Sequence, residues 1–319
     1  MFRLINGDKL IIADIGSSGG LDYRWQPLND ICQVYSFDPD LRAVQRGENT
    51  VSYPFALWSK KLRKKLYLTK FPPASSLLKP NKAILQNYLN ADDHEIVEEV
   101  FVEVDTLDKI LSGAARPNFI KIDAEGADLE ILKGSQRSMQ KACLGIQVEA
   151  QFIERNCNAP FFSEIDSFLR KQGYILLTLD REFWLRKNSI YGMNSQPQLI
   201  WADAIYLSSY KRIKSLLSSK DKDYNNSLVA KNTLIALNYG AHDYAVDVLD
   251  KIYEDRKIEE DHYLMLKETV RANINGFWYL ITIDLSKVLF ALLIFLATIF
   301  FSRQREKAGI LLRRLLAEF

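Results

Sequence analysis

Residues 10–20 read LIIADIGSSGG: an apolar run reaches Asp14 and Ile15, and glycines follow at Gly16, Gly19 and Gly20. A stretch apolar almost throughout suits a strand covered on both faces, as in a parallel sheet flanked by helices. Glycines directly after it let backbone N–H groups approach a ligand at the carboxyl end of the sheet. The dinucleotide pattern G-x-G-x-x-G fails here, because counting from Gly16 its next two glycine positions hold Ser18 and Leu21. What stands instead is Asp14-x-Gly16-x-Ser18-x-Gly20. A carboxylate two residues ahead of the glycine repels a pyrophosphate and suits a ligand with a cationic tail.

Downstream, the runs CQVYSFD, SYPFALW, FVEVDTL, NFIKIDA, LGIQVEA and YILLTLD read as further strands. Between them LEILKGSQRSMQKA and PFFSEIDSFLRKQG carry helical spacing, with Leu129 and Leu132, then Phe162, Ile165 and Leu169. Strand–helix alternation predicts a doubly wound α/β sheet. Residues 70–98 interrupt it with three prolines and read as a cover over the strand ends. The second strand ends in SFDPD, so Asp38 follows Asp14 by 24 residues, near the spacing at which an acid accepts hydrogen bonds from ribose hydroxyls. S-adenosylmethionine, with an ammonium and a sulfonium against one carboxylate, meets both conditions. The plainer alternative is an ordinary turn at Gly16 and Gly20, with Asp14 capping a helix.

The block FIKIDAEGADLEILKG at 119–134 is distinctive, and ADIGSSGG, YSFDPD, FALWSK, ASSLL, VEVDTLDKIL, GIQVEAQF and WADAIYL accompany it in order. Over residues 10–207 the chain resembles the FkbM-type family of S-adenosylmethionine-dependent methyltransferases. The resemblance implies a Rossmann-like class I methyltransferase sheet. By it, Asp14, Gly16, Ser17, Ser18 and Gly20 meet the methionine portion of the cofactor, Asp38 the ribose, and Ala56 and Leu57 the adenine. Ser18 and Asp38 stand where the family commonly has Asn and Glu; both keep the hydrogen-bonding capacity. Asp123, Glu125 and Glu149, at the ends of neighbouring strands, become the catalytic candidates, one of them the base for a hydroxyl acceptor. Asp123 is also placed to contact the cofactor ammonium. Glu125 has an alternative as a helix N-terminal carboxylate. A divalent cation between these acids lacks an evident third ligand, so no metal is expected. His94, beside Asp92 and Asp93, reads as solvated. Ser75 and Ser76 match a serine pair of the family, and a turn explains them almost as well.

Lys and Arg total 42 against 40 Asp and Glu in 319 residues, a net charge of +2, which gives no global attraction to nucleic acid. The three cysteines have no C-x-x-C spacing, which argues against a disulfide framework or zinc site. The N-terminus does not read as a secretion signal. Three regions are expected: a methyltransferase domain at 1–207, a helical extension at 208–276, and an apolar helix with a basic amphipathic tail at 277–319. In the last region only 288–301 is free of charge. Fourteen helical residues reach about 21 Å, short of the roughly 30 Å hydrocarbon core. Arg303, Arg305, Lys307, Arg313 and Arg314 accompany Leu311, Leu312, Leu315 and Leu316, the pattern of a helix lying on an anionic membrane surface. The expected function is O-methylation of a hydroxyl on a glycan, lipid-linked sugar or polyketide at the cytoplasmic face of a membrane. A soluble cytoplasmic enzyme, a homodimer through the tail, and a non-catalytic membrane scaffold are the alternatives.

Overall fold

The computed structural model describes residues 5, 7–18, 20–40, 48–112, 116–187, 195–218 and 221–283, the last nine in backbone only. The central strand β1 (Leu10–Ile15) is parallel to β2 (Cys32–Phe37) on one side and to β7 (Phe119–Ile122) on the other. Outside β2 lies β3 (Thr50–Tyr53), and outside β7 lie β8 (Gly145–Gln151), then β10 (Gln198–Ser208) and β9 (Tyr174–Trp184). The order is β3-β2-β1-β7-β8-β10-β9, with β10 antiparallel to both of its neighbours. The chain moves outward from β1 to β3 and returns on the far side at β7. Strand order therefore reverses between β1 and β7, which opens a crevice at their carboxyl ends.

Alternation along β1 serves two cores. Ala13 and Ile15 join Ile120, Ile122, Ile131, Leu132, Ile165 and Leu169 on the face covered by α2 (Leu107–Ile110), α3 (Asp128–Lys133), α4 (Gln136–Ala142) and α5 (Phe162–Lys171). Leu10 and Ile12 join Phe119, Leu207, Ile213, Val229, Ile235, Leu249 and Leu266 on the other. That face is closed by α6 (Tyr210–Leu216), α7 (Lys222–Asn238), α8 (His242–Glu254) and α9 (Glu260–Ile283). Residues 208–276 thus share a core with the sheet. Every residue of α7 from Asn225 to Leu237 is buried, because the helix lies among sheet, α8 and α9. Several of its polar groups find partners in place: Asn225 donates to the carbonyls of Ser218 and Lys257, and Asn232 accepts from the Tyr244 hydroxyl.

Two strand expectations are corrected. SYPFALW is not one strand: Pro54 has no N–H to give a ladder, so β3 ends at Tyr53 and Ala56–Leu57 forms β4 elsewhere. FVEVDTL lies outside the main sheet: its first five residues end β6 (Ile96–Asp105), which pairs with β4 and with β5 (Leu62–Thr69) in a separate sheet of order β4-β6-β5, and Thr106 caps α2. The helical spacing of 129–142 divides into α3 and α4 at Gly134, a residue whose type already suits a helix end and which caps α3; a Cβ there would stand 2.2 Å from the Trp58 carbonyl oxygen. Residues 70–98, with α1 (Lys82–Leu85) in their middle, bridge to the strand-end loops at Pro80–Asn156 and Tyr88–Arg186. Among the described residues no helix is long and apolar enough to cross a membrane. The tail expected beyond Ile283 lies outside the described residues.

Candidate active site

A cavity of about 240 Å³ opens at the carboxyl ends of β1 and β7, between the main sheet and the smaller one. Of the residues singled out in the sequence, Gly16, Ser18, Asp38, Ala56, Leu57, Asp123, Glu125 and Glu149 line it. Phe55, Phe71, Pro72 and Trp201 complete an apolar rim.

The loop after β1 is shaped first by its neighbours. Gly16 has φ +73°, and a Cβ there would lie 1.7 Å from the Asp123 carbonyl oxygen. Its N–H donates to the Phe37 carbonyl at 2.9 Å, so the loop is wedged between the ends of β2 and β7. Ser17 turns into the body, its hydroxyl 2.7 Å from that of Ser36. Gly20 closes a turn by donating its N–H to the Ser17 carbonyl at 2.9 Å. Asp14 does not line the main cavity. With Gly20 it borders a separate depression of about 340 Å³ that Leu21, Trp25 and Ser36 also line, and its carboxylate lies 3.3 Å from the Lys121 ammonium. Burial raises the Asp14 pKa, and Lys121 works against the rise. Asp38 faces the main cavity. Its carboxylate accepts the Asp40 N–H at 2.8 Å, and burial lifts its pKa to about 6.

At the other end of the cavity Asp123, Glu125 and Glu149 bring carboxylate oxygens within 4.8 Å of one another. A third acid is therefore at hand, contrary to expectation. A cation is already there too. The buried Arg155 guanidinium lies 3.1 Å from Glu125 and pairs with Glu149, and Trp184 and Trp201 pack 6.0 and 5.7 Å from it. A metal ion among these acids would have to compete with that side chain. Burial raises the Glu125 pKa to about 7 against the pull of Arg155, and Glu149 is pushed well up for the same reason.

Glu125 has φ +50°, a left-handed conformation unusual for a residue with a side chain. The helix-terminal role open to it in the sequence is taken by Asp128, whose carboxylate accepts the Gly126 N–H at 2.9 Å and the Ala124 N–H at 3.2 Å. Glu125 is left turned to the cavity, and its carbonyl accepts the Ser76 hydroxyl at 2.8 Å. Ser75 and Ser76 both line the cavity. Asp123 keeps its side chain 40% exposed, 3.7 Å from Lys121.

Two charged partners had no sequence signal: Lys121, one position in an apolar strand, and Arg155, in irregular chain after β8. His94 is a correction. It is buried, donates Nδ1–H to the Asn90 carbonyl if that nitrogen carries the proton, and packs its ring 5.8 Å from Trp184.

Residues 28–176 match the family described as Methyltransferase FkbM domain. Among solved structures, the methyltransferase FkbM from Methylobacillus flagellatus KT is similar at 14% identity and TM-score 0.38, over 63% of this chain and 44% of that one. The magnesium protoporphyrin IX methyltransferase from Synechocystis PCC 6803 with bound SAM is similar at 9% identity and TM-score 0.33, over 63% and 71%. The precorrin-6y C5,15-methyltransferase from Geobacter metallireducens GS-15 follows at 11% and 0.32, over 63% and 81%. The chain thus spans less than half the length of the first of these structures. No curated protein matches it. The similarity to the methyltransferase FkbM domain thus extends over 28–176, just under half of the chain.

Proposed function

We propose that the cavity holds S-adenosylmethionine and that the protein methylates a hydroxyl of a sugar, glycolipid or similar acceptor, with residues 277–319 holding it at a membrane surface. The observation that carries the reading is the cavity itself: an acid suited to a diol at one end, Asp38, and three convergent acids at the other. Asp38 is a buried carboxylate whose remaining lone pairs suit two ribose hydroxyls. Ala56 and Leu57 would wall the adenine, and the backbone from Gly16 to Gly20 would meet the methionine end. Asp123, the more exposed acid, would take the ammonium; Asp14, on the other side of the loop, would act through Lys121.

When bound, S-adenosylmethionine supplies an electrophilic methyl group. The protein's part is to hold the acceptor oxygen roughly 3–3.5 Å from it and to receive the hydroxyl proton. Glu125 is the base in this reading: it lines the cavity, and its pKa of about 7 is poised for proton transfer near neutrality. Glu149 and Arg155 hold it in place. The apolar rim excludes water from the transfer. For the tail, the sequence supplies an apolar stretch too short to cross and a basic face beside it.

Calorimetric titration with S-adenosylhomocysteine tests the assignment. Micromolar binding that weakens at least tenfold in Asp38→Ala is expected; folded protein that does not bind, with Asp38→Ala indistinguishable from it, would end it. A scaffold without catalysis predicts that Glu125→Gln leaves cellular function intact.

A further inference from the structure

Resting on the methyl-transfer reading, we propose that the acceptor is neutral or cationic at its reacting end, and that the cavity excludes acceptors carrying a carboxylate or phosphate beside the methylated group. The reason is an imbalance of charge where the acceptor must sit. Asp123, Glu125 and Glu149 converge within 4.8 Å. Asp203, on β10, is paired in register with Glu149 and feels the charge of Asp123. Asp14 lies behind the wall, against Lys121.

Three cations among the described residues bear on these five carboxylates, and all are already engaged: Arg24, which acts on Asp203, is held by Asp22 and Asp180. Lys121 lies between Asp14 and Asp123, 3.3 and 3.7 Å away, and Arg155 lies between Glu125 and Glu149. Neither Lys121 nor Arg155 is among the side chains that line the cavity. Asp123, Glu125 and Glu149 do line it, so the ligand meets these three acids and not the cations beside them. Trp201 and the half-exposed Phe71 add ring faces to the same cavity, and ring faces attract cations and sugar C–H groups and repel anions. Burial first, with crowding by Asp123 adding to it, lifts Glu125 and Asp203 to about 7. An anionic acceptor would deepen that crowding; a neutral polyol leaves it unchanged, and an amino group relieves it.

The test places a charge at the transfer position without knowing the acceptor. The S-aminoethyl and S-carboxymethyl sulfonium derivatives of S-adenosylhomocysteine project opposite charges past sulfur on short chains of similar reach. Calorimetry on the full chain is expected to show the aminoethyl compound binding about tenfold or more tightly than the carboxymethyl one. That ratio is expected to fall several-fold in Glu125→Gln, or in Asp123→Asn should the first variant not fold. Equal or reversed affinities overturn the proposal, as does a ratio unmoved in the variant. Failure of S-adenosylhomocysteine itself to bind would instead remove the methyl-transfer reading beneath it.

Discussion

In the proposed reading, Asp38 would tie stability to ligand binding in opposite senses. Its folded pKa, about 6, stands above the unfolded value of 3.8 because burial penalises the charge. A raised acid contributes stability that is fully present below the unfolded pKa and is lost as pH rises through the folded one. The unliganded protein is therefore expected to lose stability between pH 4 and pH 7. Ribose hydroxyls favour the ionised form, so affinity for S-adenosylhomocysteine is expected to rise about tenfold from pH 5 to pH 7. Thermal unfolding across that range, with and without ligand, checks both; in Asp38→Asn the ligand's pH dependence is expected to flatten. At this scale the sequence identified the acids that line the cavity, because acids at strand ends beside glycines have few other reasons to be there. It did not reveal their partners. Arg155 is a lone arginine in chain without periodicity, and it becomes meaningful only when folding brings it against two strand-end glutamates. His94 was misread for a related reason: two acidic neighbours in sequence suggest water, whereas the fold turns the ring inward against Trp184.

Elements were legible where a single face pattern governs them and illegible where close contact between backbones does. The strands β1, β2, β7, β8 and β9 follow from apolar runs. The break at Pro54 and the second sheet do not, since a two-residue strand carries no pattern and β6 reads like any other strand. Gly16 and Gly134 were visible as glycines, but the reason for each is another backbone: the Asp123 carbonyl for one and the Trp58 carbonyl for the other. Gly16 and Gly240 separate two costs that are easily confused. Both have positive φ, +73° and +70°, but a Cβ at Gly240 would meet nothing within 4 Å. Alanine at Gly240 is expected to cost about 1 kcal/mol, backbone strain alone. Alanine at Gly16 adds a 1.7 Å overlap with an atom that cannot move without dragging β7, and is expected to cost about 3 kcal/mol or more. Urea unfolding of the two variants checks the difference. Similar losses would mean that the loop after β1 shifts freely, and the cavity wall built on it would then be soft.

Across the whole molecule, the proposed membrane contact of the tail would set how the cavity meets its acceptor. The helix α9 is anchored at its start by Leu266 and Val270 in the core shared with the sheet, and its last described residue is Ile283. The apolar stretch that begins at Phe277 therefore starts on an element packed against the main sheet. A cofactor made in the cytosol and five basic residues in the tail prefer the same side of a membrane, which argues for a segment that enters one leaflet and returns. Each basic residue near an anionic surface contributes about 1 kcal/mol, enough together to hold the protein there in moderate salt. Flotation with vesicles containing phosphatidylglycerol is expected to recover the full chain, with recovery falling as salt is raised toward 0.5 M, about the range in which surface charges are screened. Removing 284–319 is expected to abolish flotation and leave the affinity for S-adenosylhomocysteine as it was. A truncated chain that still floats would place the membrane contact elsewhere. A full chain that stays in solution as a dimer would assign the apolar stretch to a second copy, and the acceptor would then have no need to be presented at a membrane.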